Sequence, residues 1–235
     1  MNRNLFAWLY LLVLAADLAA LVLQRPVAAA FAKALLMPLL LAYFLACAGG
    51  TRSRLLLPVT VALVCSWAGD LLLIFEDRNP VFFLAGLAAF LLAQLAYIRV
   101  LAAILRQQGL RLRGIWIIPV LVYYVVLMWW LDPHLADLRW PVRVYGLVIT
   151  TMLMLALHLL RPGWTQPAGR VLAAGAALFV SSDSLLALNK FVQAWPVAPL
   201  LIMLTYGLAE YGLTRGAIQY ICRQSAPAPA ADLTQ

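Results

Sequence analysis

The sequence is divided into eight long apolar runs, each separated from the next by a short stretch that contains charged residues, proline or glycine. Each run is close in length to the ~20 apolar residues that an α-helix needs to cross the hydrocarbon core of a membrane. This pattern predicts an all-α, polytopic membrane protein with eight transmembrane helices. The runs cover residues 5–23, 28–48, 55–75, 81–103, 115–131, 141–160, 171–190 and 196–218.

The composition excludes a water-soluble globular enzyme. Of 235 residues, 66% are hydrophobic and 11% are charged, so there is too little polar surface to cover a soluble globule. We expect a single eight-helix transmembrane domain at residues 1–223 and a disordered, Pro/Ala-rich polar tail at 224–235. The first run is expected to be retained as a span, because it is longer than a signal peptide requires and no clear cleavage site follows it.

The net charge of +8 describes the loops of a membrane protein rather than a nucleic-acid-binding surface. The basic residues are single or paired and lie between apolar runs. If the amino terminus is cytoplasmic, most of the 17 Lys and Arg residues lie on the cytoplasmic side, as the positive-inside rule requires. The sequence therefore predicts cytoplasmic termini at both ends, in a multi-pass protein of the bacterial inner membrane.

Two pairs of spans contain similar short segments. The acid and following leucine pair at Asp70 in the third span are similar to those at Asp183 and its neighbours in the seventh. The dipeptide Ala-Gln that ends at Gln94 in the fourth span is similar to the dipeptide Ala-Glu that ends at Glu210 in the eighth. Members of each pair are four spans apart, so the pattern predicts a parallel four-helix repeat.

Ionisable residues within the spans are the strongest functional signal. A charge near the bilayer centre costs at least about 2.5 to 3.5 kcal/mol on insertion scales, so such residues usually face the protein interior or a wet cavity. Asp70, Asp183 and Lys33 lie at comparable depths from the same side, and we expect them to share one cavity in the outer half of the membrane. Asp17 is expected to be a structural acid paired with Lys33. The intramembrane ionisable residues are Asp17, Lys33, Asp70, Asp183, Lys190 and Glu210.

The other polar residues of the spans have two interpretations each. Lys33 and Lys190 lie near span ends, where a lysine either extends to the membrane surface or binds a substrate. Gln94 and Tyr206 fit interhelical hydrogen bonds as well as a polar stripe that meets the cavity. Glu210 lies deeper, so it is expected to be functional or at least partnered.

The motifs of several other chemistries are missing from the sequence. Only two histidines occur, His134 in a loop and His158 near the end of the sixth span, so no histidine-rich metal cage is expected. There is no nucleophile elbow, P-loop or paired-cysteine motif. We therefore expect no metal and no cofactor. The candidate functions that remain are carboxylate acid–base chemistry and ion-coupled transport.

Five segments of the sequence together resemble the YhhN-like lysoplasmalogenase family. They occur in the expected order between residues 30 and 216, and the resemblance implies an eight-span membrane hydrolase. Such an enzyme cleaves the vinyl ether bond of lysoplasmalogens to a fatty aldehyde and a glycerophospho-base. The expected partners are a lysophospholipid substrate and membrane lipids, and not nucleic acid. The segments are AKALLMPLL (32–40), SWAGDLLL (66–73), FFLAGLAAF (82–90), SDSLLALNKF (182–191) and TYGLAEY (205–211).

By the same resemblance, Asp70 and Asp183 are the catalytic residues. Hydrolysis of an enol ether begins with protonation of its β-carbon, and the resulting oxocarbenium ion captures water. The reaction needs a proton donor and a nearby negative charge, which paired carboxyl groups also supply at glycosidic bonds. The sequence does not distinguish which aspartate is the donor.

The remaining candidates are assigned to substrate binding. Lysines are expected to hold the lipid phosphate, and Asn189 and Tyr206 to orient the headgroup or the attacking water. Family members often carry His at the position of Gln94, and Gln or His at that of Glu210, which bears on the exact substrate. The predicted substrate-binding residues are Lys33, Gln94, Asn189, Lys190, Tyr206 and Glu210.

Two other functions are compatible with the same residues. One is a proton-coupled secondary transporter that uses Asp70, Asp183 and Glu210 as a relay. The other is a non-catalytic lipid-binding protein in which these acids are structural ion-pair partners. The sequence predicts no oligomeric state.

Overall fold

The structure is a computed structural model that describes residues 3–160 and 167–224. All regular secondary structure within these two ranges is helical, which confirms the all-α prediction. Two 3₁₀ turns precede α6, and a π-helical turn, Leu188–Val192, follows α7. The α-helices are α1 (Arg3–Val22), α2 (Pro26–Ala48), α3 (Leu56–Leu73), α4 (Pro80–Gln107), α5 (Gly114–Leu131), α6 (Arg139–Leu157), α7 (Pro167–Ala187) and α8 (Ala198–Gln224).

The first seven of these helices are long and apolar enough to cross a membrane. Helix α8 has 27 residues, about 40 Å at 1.5 Å per residue, but it is more polar because it carries groups such as Glu210 and Arg215. The chain is therefore an integral multi-pass membrane protein. The cytoplasmic position of the termini and the four-helix repeat stay predictions.

Gln224, the first residue of the predicted disordered tail, is helical. Gln224 is the last residue of α8, and its side-chain amide donates a hydrogen bond of 2.8 Å to Oε1 of Gln107 on α4. The rest of the predicted tail, 225–235, lies outside the described residues.

Proline and asparagine set two of the helix starts. Pro26 and Pro80 are the first residues of α2 and α4, where the fixed φ of proline suits the helix and its missing N–H is not needed. Asn79 caps α4, because its side-chain oxygen accepts a hydrogen bond of 2.9 Å from the backbone N–H of Val81. Both starts lie at the same end of the bundle, since α2 and α4 run in the same direction.

Helices α7 and α8 cross at two glycines. A Cβ atom added at Gly175 would lie 2.7 Å from the backbone nitrogen of Leu213, and one added at Gly212 would lie 3.1 Å from Cα of Gly175. Small residues of this kind let helix backbones approach closely in membranes. The crossing fixes the position of Asp183, which lies about two turns further along α7.

An aromatic cluster packs between α3, α4, α7 and α8. The ring of Phe90 lies against Gly69, where an added Cβ would be 2.6 Å from a ring carbon. Phe90, Phe179 and Tyr206 make mutual edge-to-face contacts, with ring centroids 5.8 to 6.5 Å apart. Tyr206 joins this cluster to Asp70, because its hydroxyl donates a hydrogen bond to Oδ2 of that residue.

Candidate active site

A cleft lies at one end of the bundle, and the empty space within it and the open solvent at its mouth together amount to about 760 Å³. It is formed where α3 and α7 end and where α2, α4, α6 and α8 begin, which the charge distribution predicts to be the outer side of the membrane. Most of its lining is apolar, with rings such as Phe83, Phe90 and Phe191. The polar and charged lining residues are Lys33, Asp70, Tyr145, Ser182, Asp183, Lys190 and Tyr206.

Asp70 is held by one cation and one hydroxyl group. Its Oδ1 lies 3.8 Å from Nζ of Lys33, and its Oδ2 accepts a hydrogen bond of 2.7 Å from the hydroxyl of Tyr206. The carboxyl group is 1% exposed, whereas the Lys33 side chain is 22% exposed. An opposite charge and a hydrogen-bond donor both stabilise the carboxylate form.

Asp183 has different surroundings. Its Oδ2 accepts a hydrogen bond of 2.6 Å from the hydroxyl of Tyr145, and the residue is only partly buried. No Lys, Arg or His of the described ranges has a side-chain nitrogen within 4.0 Å of this carboxyl group. The cleft thus contains one ion-paired carboxylate and one carboxyl group without a cationic partner.

A second set of polar contacts lies one turn below Asp70. Glu210 is fully buried and accepts hydrogen bonds of 2.6 Å from the hydroxyls of Ser66 and Tyr97. Ser66 lies one turn before Asp70 on α3, and Glu210 lies one turn after Tyr206 on α8. The two helices are therefore joined by two successive carboxyl–hydroxyl pairs, and Glu210 is partnered, as its depth suggested.

Lys190 lies at the rim of the cleft in the π-helical turn. Its Nζ is 2.9 Å from Oε2 of Glu76, in the connection between α3 and α4, and 4.2 Å from the ring centre of Phe83. Turns of this kind are frequent at functional sites, because they redirect side chains at a helix end. The turn places a cation at the mouth of an otherwise apolar cleft.

Three of the predicted substrate-binding residues do not line the cleft. Gln94 is fully buried, and neither atom of its amide has a hydrogen-bond partner in the described part of the chain. Asn189 accepts a hydrogen bond of 2.9 Å from the backbone N–H of Trp195 and so orders the chain after the π-helical turn. Gln94 and Glu210 lie one turn deeper than the rings of Phe90 and Tyr206. The lining therefore gives no support to a substrate role for these three residues, which stays a prediction.

The predicted pairing of Asp17 with Lys33 is wrong as a direct contact. Lys33 forms its ion pair with Asp70. Asp17 is 1% exposed on α1, and its Oδ2 has no hydrogen-bond partner among residues 3–160 and 167–224. Helical spacing within one span could not reveal which acid on another helix the lysine reaches.

Two residues of the site, Tyr145 and Glu76, are not among those predicted from the sequence. Tyr145 is in the second turn of α6, as Lys33 is in α2, so a comparison of depths from one membrane side would have included it. Glu76 lies in the connection after α3, outside the helices, where an acid has no special significance by itself. Its role depends on a contact with a residue 114 positions away.

Residues 28–217 match the YhhN family, a range that contains every residue lining the cleft. The chain belongs to the YhhN family. This result confirms the resemblance that the five segments suggested.

Several curated relatives of this YhhN family member carry the name lysoplasmalogenase. Lysoplasmalogenase TMEM86B of Rattus norvegicus is 36% identical over 159 residues, 67% of this chain and 60% of the rat protein. The Sus scrofa protein of the same name is 38% identical over 162 residues, 69% of this chain and 62% of the relative. A lysoplasmalogenase of Mycobacterium tuberculosis is 33% identical over 171 residues, 71% of this chain and 61% of the relative. The chain thus spans about 60% of the length of these relatives, and no solved structure shows significant similarity to it.

Proposed function

We propose that this protein hydrolyses the vinyl ether bond of lysoplasmalogens, with Asp70 and Asp183 as the acid–base pair. The observation that carries the proposal is that these two aspartates, from α3 and α7, line one apolar cleft with a lysine at its rim. The names of the relatives supply the bond that is cleaved. The products are a fatty aldehyde and a glycerophospho-base.

The surroundings of the two aspartates support different roles for them. Asp70 is the carboxylate, because Lys33 and Tyr206 both stabilise its negative charge. Asp183 is the proton donor, because it has no cation beside it and the Tyr145 hydroxyl occupies only Oδ2. Its Oδ1 is then free to carry the proton into the cleft.

The proposed reaction returns both residues to their starting states. Asp183 donates its proton to the β-carbon of the vinyl ether, and the oxocarbenium ion that forms is stabilised by the Asp70 carboxylate. Water adds to this ion and passes a proton to Asp70, giving a hemiacetal. The hemiacetal collapses when Asp183 takes its hydroxyl proton and Asp70 protonates the departing glycerol oxygen.

The shape and polarity of the cleft support an amphiphilic substrate. The apolar lining accepts the alkenyl chain, and Lys190 at the rim receives the phosphate. Lys33 stays with Asp70 in this arrangement, so we assign it to positioning rather than to the headgroup. The distribution of Lys and Arg supports an orientation with the cleft on the outer side, and we place the protein in a bacterial inner membrane as part of the same proposal.

A single assay tests the proposal. The purified protein, in detergent or nanodiscs, is expected to release a long-chain aldehyde from 1-alkenyl lysophospholipid, and a glycerophospho-base in equal amount. Ester lysophospholipid of the same chain length is the control and should not be cleaved, because an ester carbonyl has no alkene carbon to protonate. Mass spectrometry measures both products. Turnover of the ester at a similar rate, or no aldehyde from the vinyl ether lipid, would rule out this function.

Tyr145→Phe is expected to lower kcat about tenfold with little change in KM. The substitution removes one hydrogen bond to Asp183, worth about 1 to 2 kcal/mol when the acceptor is a carboxyl group, but leaves the ring in place. Tyr124→Phe is the matched control, because its hydroxyl donates to the backbone oxygen of Arg143 and not to either aspartate. Equal effects of the two variants on kcat would contradict the positioning role of Tyr145.

A further inference from the structure

The ion pair between Lys190 and Glu76 lies where a headgroup must enter the cleft. Nζ of Lys190 is 2.9 Å from Oε2 of Glu76, and the two side chains are 30% and 27% exposed. Lys190 lines the cleft, and its Nζ faces the ring of Phe83, another lining residue. The mouth therefore presents one positive and one negative group side by side.

The ion pair at the rim is expected to contribute little to the stability of the fold. Ion pairs that solvent can reach usually contribute little to stability, because water screens both charges. Glu76 lies in the connection between α3 and α4, outside both helices. Its placement beside the one lysine of the rim is thus better explained by a ligand than by folding.

We propose that the Glu76–Lys190 pair recognises a zwitterionic phospholipid headgroup, and that Glu76 is the residue that discriminates it from an anionic one. This inference relies on the proposed function for the presence of a lysolipid in the cleft. The phosphate lies beside Lys190, and the ammonium group of the base lies beside Glu76. Two antiparallel charge pairs then attract each other, whereas a headgroup without an ammonium group brings a second negative charge next to Glu76.

Lys33 does not provide an alternative phosphate site of equal quality. It is paired with Asp70, so a phosphate there would compete with a buried carboxylate that the reaction uses. Lys190 instead has its acid on the rim, where water can take over the solvation of Glu76 if the pair rearranges. The geometry therefore favours the rim as the headgroup position.

The experiment measures binding of ester lysolipids, which the proposed reaction does not cleave. Lysophosphatidylethanolamine and lysophosphatidylglycerol of equal chain length are titrated against the purified full-length protein in nanodiscs at low salt. Glu76→Gln is expected to lower the affinity for the ethanolamine lipid about three- to fivefold and to raise the affinity for the glycerol lipid by a similar factor. Asp77→Asn is the matched control, because it removes a neighbouring negative charge that is not part of the pair, and it should change neither affinity.

Further measurements identify how the pair acts. Lys190→Met keeps the apolar stem of the side chain and is expected to lower the affinity for both lipids about fivefold, since both carry the phosphate. High salt should reduce the difference between the two lipids in the unmodified protein. Glycerophosphoethanolamine, the headgroup without a chain, should bind far more weakly than the lipid; equal binding would identify a soluble ligand and overturn the lipid part of the inference.

Opposite shifts for the two lipids in Glu76→Gln support the inference. Affinity shifts in the same direction overturn the inference, because they would reflect a change in packing. An equal change of selectivity in Asp77→Asn also overturns it, because it would reflect the overall electrostatic field of the rim. The result is independent of catalysis. If the vinyl ether lipid were not hydrolysed but the opposite shifts were observed, the headgroup site would stand and the proposed reaction would fail.

Discussion

Asp70→Asn and Asp183→Asn are each expected to reduce aldehyde release about 10²- to 10⁴-fold. A positioned general acid or base typically contributes a factor of this size, and stabilisation of a developing charge contributes a similar one. Both substitutions keep the volume of the side chain, so the packing of the cleft changes little. The measurement is kcat for 1-alkenyl lysophospholipid, determined on protein that elutes as a single species.

The pH dependence separates the roles of the two residues. Without the Asp183 donor, hydronium ions must protonate the vinyl ether, so the residual rate of Asp183→Asn is expected to rise as the pH falls. Asp70→Asn keeps the proton donor and loses the charge that stabilises the cation, so its residual rate should not rise as the pH falls. A rise at low pH in Asp70→Asn alone would show that the two roles are exchanged.

Asp17→Asn is the control for both variants. Asp17 is also a buried acid within a span, but it does not line the cleft, so its substitution should leave kcat within about twofold of the original value. Large losses in all three variants would indicate a general requirement for intramembrane acids. Such a result would favour the structural interpretation of these residues over catalysis.

The sequence predicted the fold and the two aspartates because both depend on local properties. Span length and hydropathy define the helices, and an acid within a span is costly enough to be informative by itself. Asp70, Asp183 and Lys190 were found in this way. Their depths could be compared because the excess of Lys and Arg in alternate loops gives the expected orientation of the spans.

The partners of these residues could not be predicted, because they depend on how helices rotate and cross. Tyr145 and Asp183 lie on different helices, and nothing in the spacing of either helix selects the other. Lys33 lies in the predicted cavity, but its expected direct pairing with Asp17 was wrong for the same reason. Gln94 was placed on the cleft by its helical face, but the aromatic rings one turn above it fill the space between.

The two carboxyl–hydroxyl pairs between α3 and α8 place a buried network directly beneath the proposed site. Ser66 and Glu210 form the lower pair, and Asp70 and Tyr206 form the upper pair. A polar group that is left unpaired at this depth would cost several kcal/mol, so the lower pair constrains the rotation of both helices. Asp70 is thus presented to the cleft by contacts within the protein, before any substrate binds.

Gly175→Leu is expected to lower the free energy of unfolding by about 3 kcal/mol or more and to abolish hydrolysis. A Cβ atom at this position would lie 2.7 Å from the backbone nitrogen of Leu213 and 3.0 Å from the backbone oxygen of Ala209. Overpacking alone typically costs 1 to 3 kcal/mol, and here the obstructing atoms belong to a backbone that no rotamer change can move. The loss is measured as reduced thermal stability of the purified protein, together with kcat.

Gly114→Leu is the matched control, because an added Cβ there meets only the far end of the Ile118 side chain, at 4.0 Å. It should leave both stability and hydrolysis nearly unchanged. If Gly175→Leu were as stable as this control, α7 and α8 could not approach as closely as the structure requires. Asp183 on α7 would then no longer be held at a fixed distance from Tyr206 on α8, and the assignment of one cleft to both aspartates would lose its basis.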